Sequence, residues 1–416
     1  VNPTTPPDLD TPYVRTLERL YGLVRFGEKF GLDGPRALDR ALGGPVGAAP
    51  AILIGGTNGK GSTAAFVEAL LRGRGLRTGL FTSPHLTSFR ERIRIDGQDI
   101  APSAVVRLAD RVLAAAGTIG GEVPFFEVVW GMAALAFAEA AVDFVIWEVG
   151  LGGRLDATNV CEPVASAVVT VGLDHTAVLG PDLASIAREK APIFRPGRPA
   201  FTAARGEALA ALTSALPAGV DLRAIGRDFD VHAGPLPLPG AHQADNASVA
   251  LALARAAGTN PDPRHLARAR WPGRAEMAGP RLVLDCAHNP DGARALAAWL
   301  AGPLRPEAGR PVDLVLGAMA DKDADGVLAA LRPVVRHVTL VTPHHPRALD
   351  AGLWSARVVS TGGERPEVAA DVTTALSQRD PEALTVVAGS CFLIGEVRAA
   401  LAGQPYPEGG LLTRAR

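Results

Sequence analysis

The chain has 416 residues, 47% of them hydrophobic and 20% charged, with a formal net charge of −1; a chain of this length outgrows one hydrophobic core, so two domains are expected. The balanced charge excludes a general nucleic-acid or lipid surface, since either would need a basic excess on one face. The Pro-rich start lacks the basic-then-apolar order of a signal peptide, and the longest apolar stretch, 132–147, is broken by Glu139 and Asp143, so a cytoplasmic protein without a membrane span is expected.

Residues 13–24 and 35–42 carry apolar positions at helical spacing and form an N-terminal helical cap around Lys29-Phe30-Gly31-Leu32. The apolar run 51–54 then enters Gly56-Thr57-Asn58-Gly59-Lys60-Gly61-Ser62 and leaves through a helix-forming stretch, 63–71. A strand, a glycine-rich turn and a helix N-terminus with unpaired N–H groups make a phosphate cradle, with Lys60 as its mobile cation. The general phosphate-loop pattern asks for glycine at its first place and Ser or Thr after the lysine, where this chain has Ile54 and Gly61.

A second strand, 78–81, delivers Ser83, whose hydroxyl at a strand's C-terminal edge could meet Mg²⁺ or could serve only the Ser-Pro turn. Residues 91–97 alternate as an exposed strand ending in a turn. Glu127 stands near the start of an alanine-rich helix opened by Phe125-Phe126, where a carboxylate also complements the helix dipole. The buried strand 143–147 runs directly into Glu148, the place where a phosphate-loop enzyme keeps its metal-facing acid, and then into a glycine-rich tract. Strand 166–171 leads past Asp174 to His175, a satisfied polar residue or, at a strand terminus among acids, a metal-binding one.

Of the 42 basic residues only Lys29, Lys60, Lys190 and Lys322 are lysine. In a chain this biased toward arginine a retained lysine is either chance or a need for a compact, deprotonatable amine. Residues 200–235 read as strand-like. A helix begins near Asp245-Asn246, either of which could cap it. The Pro- and Gly-containing segment 271–275, which includes Arg274, reads as a linker between domains 1–270 and 276–416. Beyond it, strand and helix patterns alternate, so a second parallel sheet covered by helices is expected. Cys161, Cys286 and Cys391 are far apart without C-x-x-C spacing and read as buried thiols.

The loop G-T-N-G-K-G-S resembles that of the Mur-type amide ligases, most closely the folylpolyglutamate synthase family. Further motifs carry the resemblance from about Lys29 to Glu396: T-S-P-H-L at 82–86, E-R-I-R-I at 91–95, F-F-E at 125–127, E-V-G-L-G-G-R-L-D-A-T-N at 148–159, R-E-K-A at 188–191, H-Q-x-x-N at 242–246, D-x-A-H-N-P at 285–290, D-K-D at 321–323, P-R-A-L at 346–349 and G-S-x-x-x-x-G-E at 389–396. The resemblance implies an α/β fold, with an N-terminal phosphate-loop ATPase domain of Mur-ligase type and a smaller, Rossmann-like C-terminal domain. It implies an enzyme that uses ATP to activate the carboxyl of dihydropteroate, or of a folate's terminal glutamate, as an acyl phosphate that L-glutamate's amine then attacks.

The same resemblance assigns ATP to Gly56, Thr57, Asn58, Gly59, Lys60, Gly61, Ser62, Asn246, Arg274 and Asp285. It assigns one or two Mg²⁺ ions to Ser83, Glu148, His175 and a carbamylated Lys190, so that Lys60, Lys190, His175 and Glu148 are the catalytic set. The pterin or folate falls to Lys29, Phe30, Gly31, Leu32, Phe125, Phe126, Glu127, Leu155, Asp156 and Ala157, and glutamate to His288 and Ser390. The expected partners are small molecules, with no nucleic acid or membrane, and the expected state is a monomer. Folylpolyglutamate synthesis alone, another Mur-type ligation and a phosphate-loop switch remain the alternatives, the last without an N-K-x-D guanine signature.

Overall fold

The computed structural model describes residues 11–23, 31–120, 122–302, 304–305 and 309–404. The sequence-predicted pterin residues Lys29 and Phe30 lie outside these described residues. Strands β1 (Ala51–Gly55), β2 (Thr78–Phe81), β3 (Ile93–Ile95), β4 (Gln98–Asp99), β5 (Phe144–Glu148), β6 (Pro163–Val168), β7 (Ala200–Thr202) and β8 (Leu222–Ala224) form one sheet in the order β4-β3-β2-β5-β1-β6-β7-β8. All neighbours are parallel except the β2–β3–β4 edge. Every residue of β1 is buried, which is why its sequence is a continuous apolar run rather than an alternating one. Ile52 and Ile54 face the layer of helices Lys60–Gly73 and His242–Ala256, and Leu53 faces helix Phe125–Glu139 on the other side. Phe66, Phe81 and Trp147 are wholly buried, each contributing roughly 1.5–3 kcal/mol by leaving water. This packing fixes the sheet's C-terminal edge, from which Gly56, Ser83 and Glu148 emerge.

The second sheet contains β9 (Glu276–Gly279), β10 (Leu282–Leu284), β11 (Val312–Leu316), β12 (His337–Leu340), β13 (Glu367–Val368) and β14 (Leu384–Ala388), in the order β13-β12-β11-β14-β10-β9. It is parallel apart from the antiparallel edge strand β9. The chain is therefore a mixed α/β protein with two sheets. Among the described residues no helix is long and apolar enough to cross a membrane.

Three local expectations are corrected. The stretch 200–235 contains helix Gly206–Ser214 between β7 and β8, a run of Ala and Leu whose helix preference the strand-like reading overlooked. Residues 91–97 are not an exposed strand: Ile93 is wholly buried and pairs with Phe81, while the Glu91 carboxylate accepts the N–H groups of Leu86, Thr87 and Ser88. The helix expected near 245 begins at His242, after Ala241, which gives no side-chain cap, so neither Asp245 nor Asn246 is a cap. One turn inside the helix, Asp245 pairs with Arg205 and Asn246 is buried beside Gln243.

Candidate active site

The turn after β1 is tied to the end of β6 before any ligand arrives. Thr57 donates its N–H to the Thr170 carbonyl at 2.9 Å, Asn58 donates its N–H to Thr170 Oγ1 at 2.9 Å, and that hydroxyl donates to the Asn58 carbonyl at 3.0 Å. A loop held this way needs little ordering to receive phosphate. The Lys60 ammonium is folded back on the turn, donating to the carbonyls of Gly56 at 2.9 Å and Thr57 at 3.3 Å, and burial lowers its pKa.

Two glycines of the loop have steric reasons. Gly59 has φ 86°, and a Cβ there would lie 2.4 Å from Asn246 Oδ1, so the loop and the helix His242–Ala256 approach too closely for any side chain. At Gly61 a Cβ would meet the Trp271 indole at 2.6 Å. The departure from the usual Ser or Thr thus follows from packing: the tryptophan that opens the interdomain segment lies over the loop.

The loop forms one wall of a cavity of about 500 Å³, within the usual range for small-molecule sites. Ser83, Glu148, His175, Lys190, Asn246, Arg274, Asp285 and His288 also line it, so residues of both sheets face one space. Ser83 donates its backbone N–H to Glu148 Oε2 at 3.1 Å. Burial raises the Glu148 carboxyl to about 7, against the pull of Lys60. Lys190 is 4% exposed, and no salt bridge joins it to a carboxylate among the described residues. Burial, with Lys60 nearby, brings its amine down to about 7. His175 is held in the left-handed region at φ 52°, and burial together with the Lys322 ammonium lowers it to about 4, leaving the imidazole neutral.

Among the described residues no group of three or more His, Cys, Asp and Glu side chains is placed to hold a metal ion by itself. Of the residues lining the cavity, Ser83, Glu148 and His175 offer a hydroxyl, a carboxylate and a neutral imidazole, two hard oxygen donors and one borderline nitrogen. Such a set fits an ion that keeps water and takes phosphate oxygens as ligands, as Mg²⁺ does.

The two sheets meet through a polar bridge that the sequence reading did not assemble. Asn58 and Asn289 exchange side-chain hydrogen bonds of 3.3 and 3.0 Å, and Asn289 also donates to Asp174 Oδ2 at 3.0 Å. Lys322 donates to Asp174 Oδ1 at 2.6 Å and to His175 Nε2 at 2.9 Å, while His288 Nε2 lies 3.4 Å from Asp174 Oδ2. Burial alone would raise the Asp174 carboxyl, but His288 and Lys322 hold it well below the usual carboxylate range.

Residues 269–391 match the family described as Mur ligase, glutamate ligase domain. A dihydrofolate synthase/folylpolyglutamate synthase of Bacillus subtilis is 31% identical over 94% of this chain and 99% of its own. The family is thereby fixed. This chain belongs to the folylpolyglutamate synthase family.

A second relative, the probable bifunctional folylpolyglutamate synthase/dihydropteroate synthase of Halobacterium salinarum, is 39% identical over 91% of this chain, which spans 50% of that protein's length. Among solved structures, the bifunctional folylpolyglutamate synthase/dihydrofolate synthase with Mn, AMPPNP and L-glutamate bound superposes with a TM-score of 0.83 and 31% identity, covering 96% of this chain and 100% of that one.

Within this folylpolyglutamate synthase frame, a second group of predicted residues gathers beside the cavity rather than on its wall. Asp156 is buried and accepts the N–H groups of Gly150 and Leu151, both at 3.0 Å, and that of Thr158. The Phe126 ring packs against Gly150 and Phe81, and Phe125 meets Tyr21 at a tilt and Phe89 edge-on. The Glu127 carboxylate lies over Gly34, where a Cβ would come within 3.2 Å of its Oε2, just past Gly31 and Leu32, and Leu155 and Ala157 flank Asp156 in sequence. Burial and the neighbouring Asp156 raise Glu127 to about 7. A carboxyl raised in the folded state contributes stability that is fully present below its unfolded pKa near 4.5 and is lost as pH rises through 7. Glu127→Gln should therefore gain about 1 kcal/mol relative to the parent between pH 5 and pH 8, after allowance for solvent screening. Urea midpoints at the two pH values check this, and parallel pH profiles for parent and variant would refute it.

In the folylpolyglutamate synthase glutamate ligase domain, Asp285 accepts N–H groups from Ala275 at 2.7 Å and Ala287 at 2.8 Å, which aims the β10 junction at the cavity. Ser390 does not line the cavity wall. It is 2% exposed, and its hydroxyl caps helix Cys391–Leu401 by accepting the Phe392 N–H at 3.1 Å. Of the residues the sequence reading missed, Lys322 carried a signal, as one of four lysines in an arginine-rich chain. Asp174 carried one too, as the neighbour of His175.

Proposed function

We propose that the chain is an ATP-dependent ligase that joins L-glutamate to dihydropteroate, forming dihydrofolate, and to the terminal glutamate of folates, forming folylpolyglutamate. The observation that carries this reading is one cavity shared by the phosphate loop of the first sheet and by Arg274, Asp285 and His288 of the second. A carboxylate is a poor electrophile at neutral pH, so amide formation requires its oxygen to become a leaving group, and ATP supplies this by forming an acyl phosphate. The main-chain N–H groups of 59–62 receive the phosphates, and Lys60, released from the Gly56 and Thr57 carbonyls, follows the transferred charge. Asn246, Arg274 and Asp285 hold the nucleotide across the seam of domains 1–270 and 276–416, joined at 271–275. Water is excluded when that seam is closed, which protects the acyl phosphate until the amine of glutamate arrives at His288; Ser390, whose hydroxyl caps its own helix, positions that wall rather than meeting glutamate.

Ser83, Glu148, His175 and a carbamylated Lys190 would hold one or two Mg²⁺ ions, which supply charge neutralisation of the phosphates. The group of Gly31, Leu32, Phe125, Phe126, Glu127, Leu155, Asp156 and Ala157, with Lys29 and Phe30, takes the pterin end of the acid. The enzyme acts on small molecules as a cytoplasmic monomer. The test incubates the chain with ATP, Mg²⁺ and L-glutamate plus either dihydropteroate or tetrahydrofolate. Phosphate release matched by glutamylated product is expected with each acid. Equal ATP hydrolysis with acid and amine omitted would overturn the reading.

A further inference from the structure

Cys286 and Cys391, remote in sequence, meet in the fold. Strands β10 and β14 run side by side with Leu284 opposite Val387, and Asp285 donates its N–H to the Val387 carbonyl at 3.0 Å. Each cysteine follows the end of its strand and lines the cavity, and the two thiols lie close enough for each to shift the other's titration. The buried guanidinium of Arg274, which donates to the Gly273 carbonyl at 2.9 Å, lines the same cavity and acts on both thiols. Cys391 is only half-buried and opens an eleven-residue helix, a position where N–H groups and the helix dipole favour a thiolate. The neighbouring Cys286, with Arg274 near, outweighs burial and draws the Cys391 thiol below its ordinary range. Cys161 is the contrast: it is buried, and burial pushes its thiol up to about 12. Glutamate ligation requires no thiol, so the pair is unexplained by the reaction.

We propose that Cys286 and Cys391 form a hydroperoxide-sensitive dithiol, whose closure to a disulfide weakens nucleotide binding by removing the thiolate charge that faces the Arg274 guanidinium at the cavity. The Cys391 thiolate attacks one oxygen of hydrogen peroxide; the O–O bond breaks and the departing hydroxide takes a proton and leaves as water. Cys286 sulfur then displaces the hydroxyl of the resulting sulfenic acid, forming S–S and releasing a second water. The dithiol loses two electrons and two protons, and the peroxide is reduced to two waters. An accessible thiolate beside a resolving thiol is the arrangement this chemistry needs.

The test treats the full chain with a few equivalents of hydrogen peroxide, then maps its peptides by mass and titrates ADP before and after dithiothreitol. A peptide linking Cys286 to Cys391 with Cys161 still a thiol is expected, together with a loss of ADP affinity of roughly tenfold that dithiothreitol reverses. Cys286→Ala should stop at a dimedone-trapped sulfenic acid on Cys391, with no cross-link. Oxidation of Cys161 in place of the pair, a linked chain with unchanged ADP affinity, or a further peroxide-induced affinity loss of the same size in Cys286→Ala or Cys391→Ala would overturn the proposal; the wild-type measurements decide it without the variants. The effect on nucleotide rests on the functional reading above, whereas the linkage does not: a reduced chain that fails to bind ADP sinks that reading, and the linked peptide still decides the dithiol.

Discussion

Lys190→Arg is expected to fold as the parent does and to lose turnover by roughly 10²- to 10³-fold, the usual loss for one preorganised electrostatic contact. The expectation follows from the lysine's surroundings. Its amine is almost wholly buried beside another cation, Lys60, and no carboxylate pairs with it among the described residues. Burial brings the amine to about 7, so a large neutral fraction exists at physiological pH, and only the neutral amine can attack CO₂ and lose a proton to become a carbamate. That reaction replaces an unpaired buried cation with an anion facing Lys60 and the phosphate loop, which improves the local charge balance as well as supplying a ligand atom. Arginine preserves size and charge but stays protonated and cannot take this path. The measurement is turnover at saturating ATP, glutamate and acid, with thermal unfolding as the control for folding. A carbon-13 carbamate resonance should appear in the parent supplied with labelled bicarbonate and be absent from the variant. Near-parental turnover in Lys190→Arg, or no carbamate signal in the parent, would remove the carbamate from the mechanism.

The sequence made the α/β architecture legible because parallel strands buried on both faces leave uninterrupted apolar runs, as at β1 and β5. The phosphate loop was legible for a similar reason, since glycine and lysine at a strand-to-helix turn have few other uses. Composition added something that local pattern could not. All three described lysines converge: Lys60 and Lys190 line the cavity and Lys322 holds Asp174 and His175 on its rim. Properties that depend on which residues meet across the fold were hidden. Gly61 could not announce Trp271, and Asn246 looked like a cap because its helix starts one turn earlier than its polar residues suggest. Cys286 and Cys391 show no spacing signal because adjacency of β10 and β14 brings them together. Ser390 shows the converse, a motif residue whose hydroxyl is already committed to its own helix.

Lys322→Met should destabilise the chain by about 3 kcal/mol, the scale found when one partner of a buried ion pair is removed and the other is left behind. Asp174 and Lys322 side chains are only 8% and 10% exposed, and their contact of 2.6 Å ties a loop of the first sheet to the D-K-D junction of the second. Asn289 and His288 remain near the carboxylate after the substitution, which keeps the cost at the low end of the range for such breakage. Two controls separate the pair from generic packing. Adding Asp174→Asn to Lys322→Met removes the stranded charge, so the double variant should regain at least half of the lost stability, because an unanswered buried ion costs more than a deleted pair. The single variant should also loosen the seam, so proteolysis should cut the segment around 271–275 faster while cleavage inside either sheet changes little. A cycle of urea unfolding curves on the parent, both single variants and the double variant measures the coupling. If the double variant is as unstable as the sum of the singles, Lys322 and Asp174 act independently and the bridge between the two sheets must rest on the Asn58–Asn289 exchange instead.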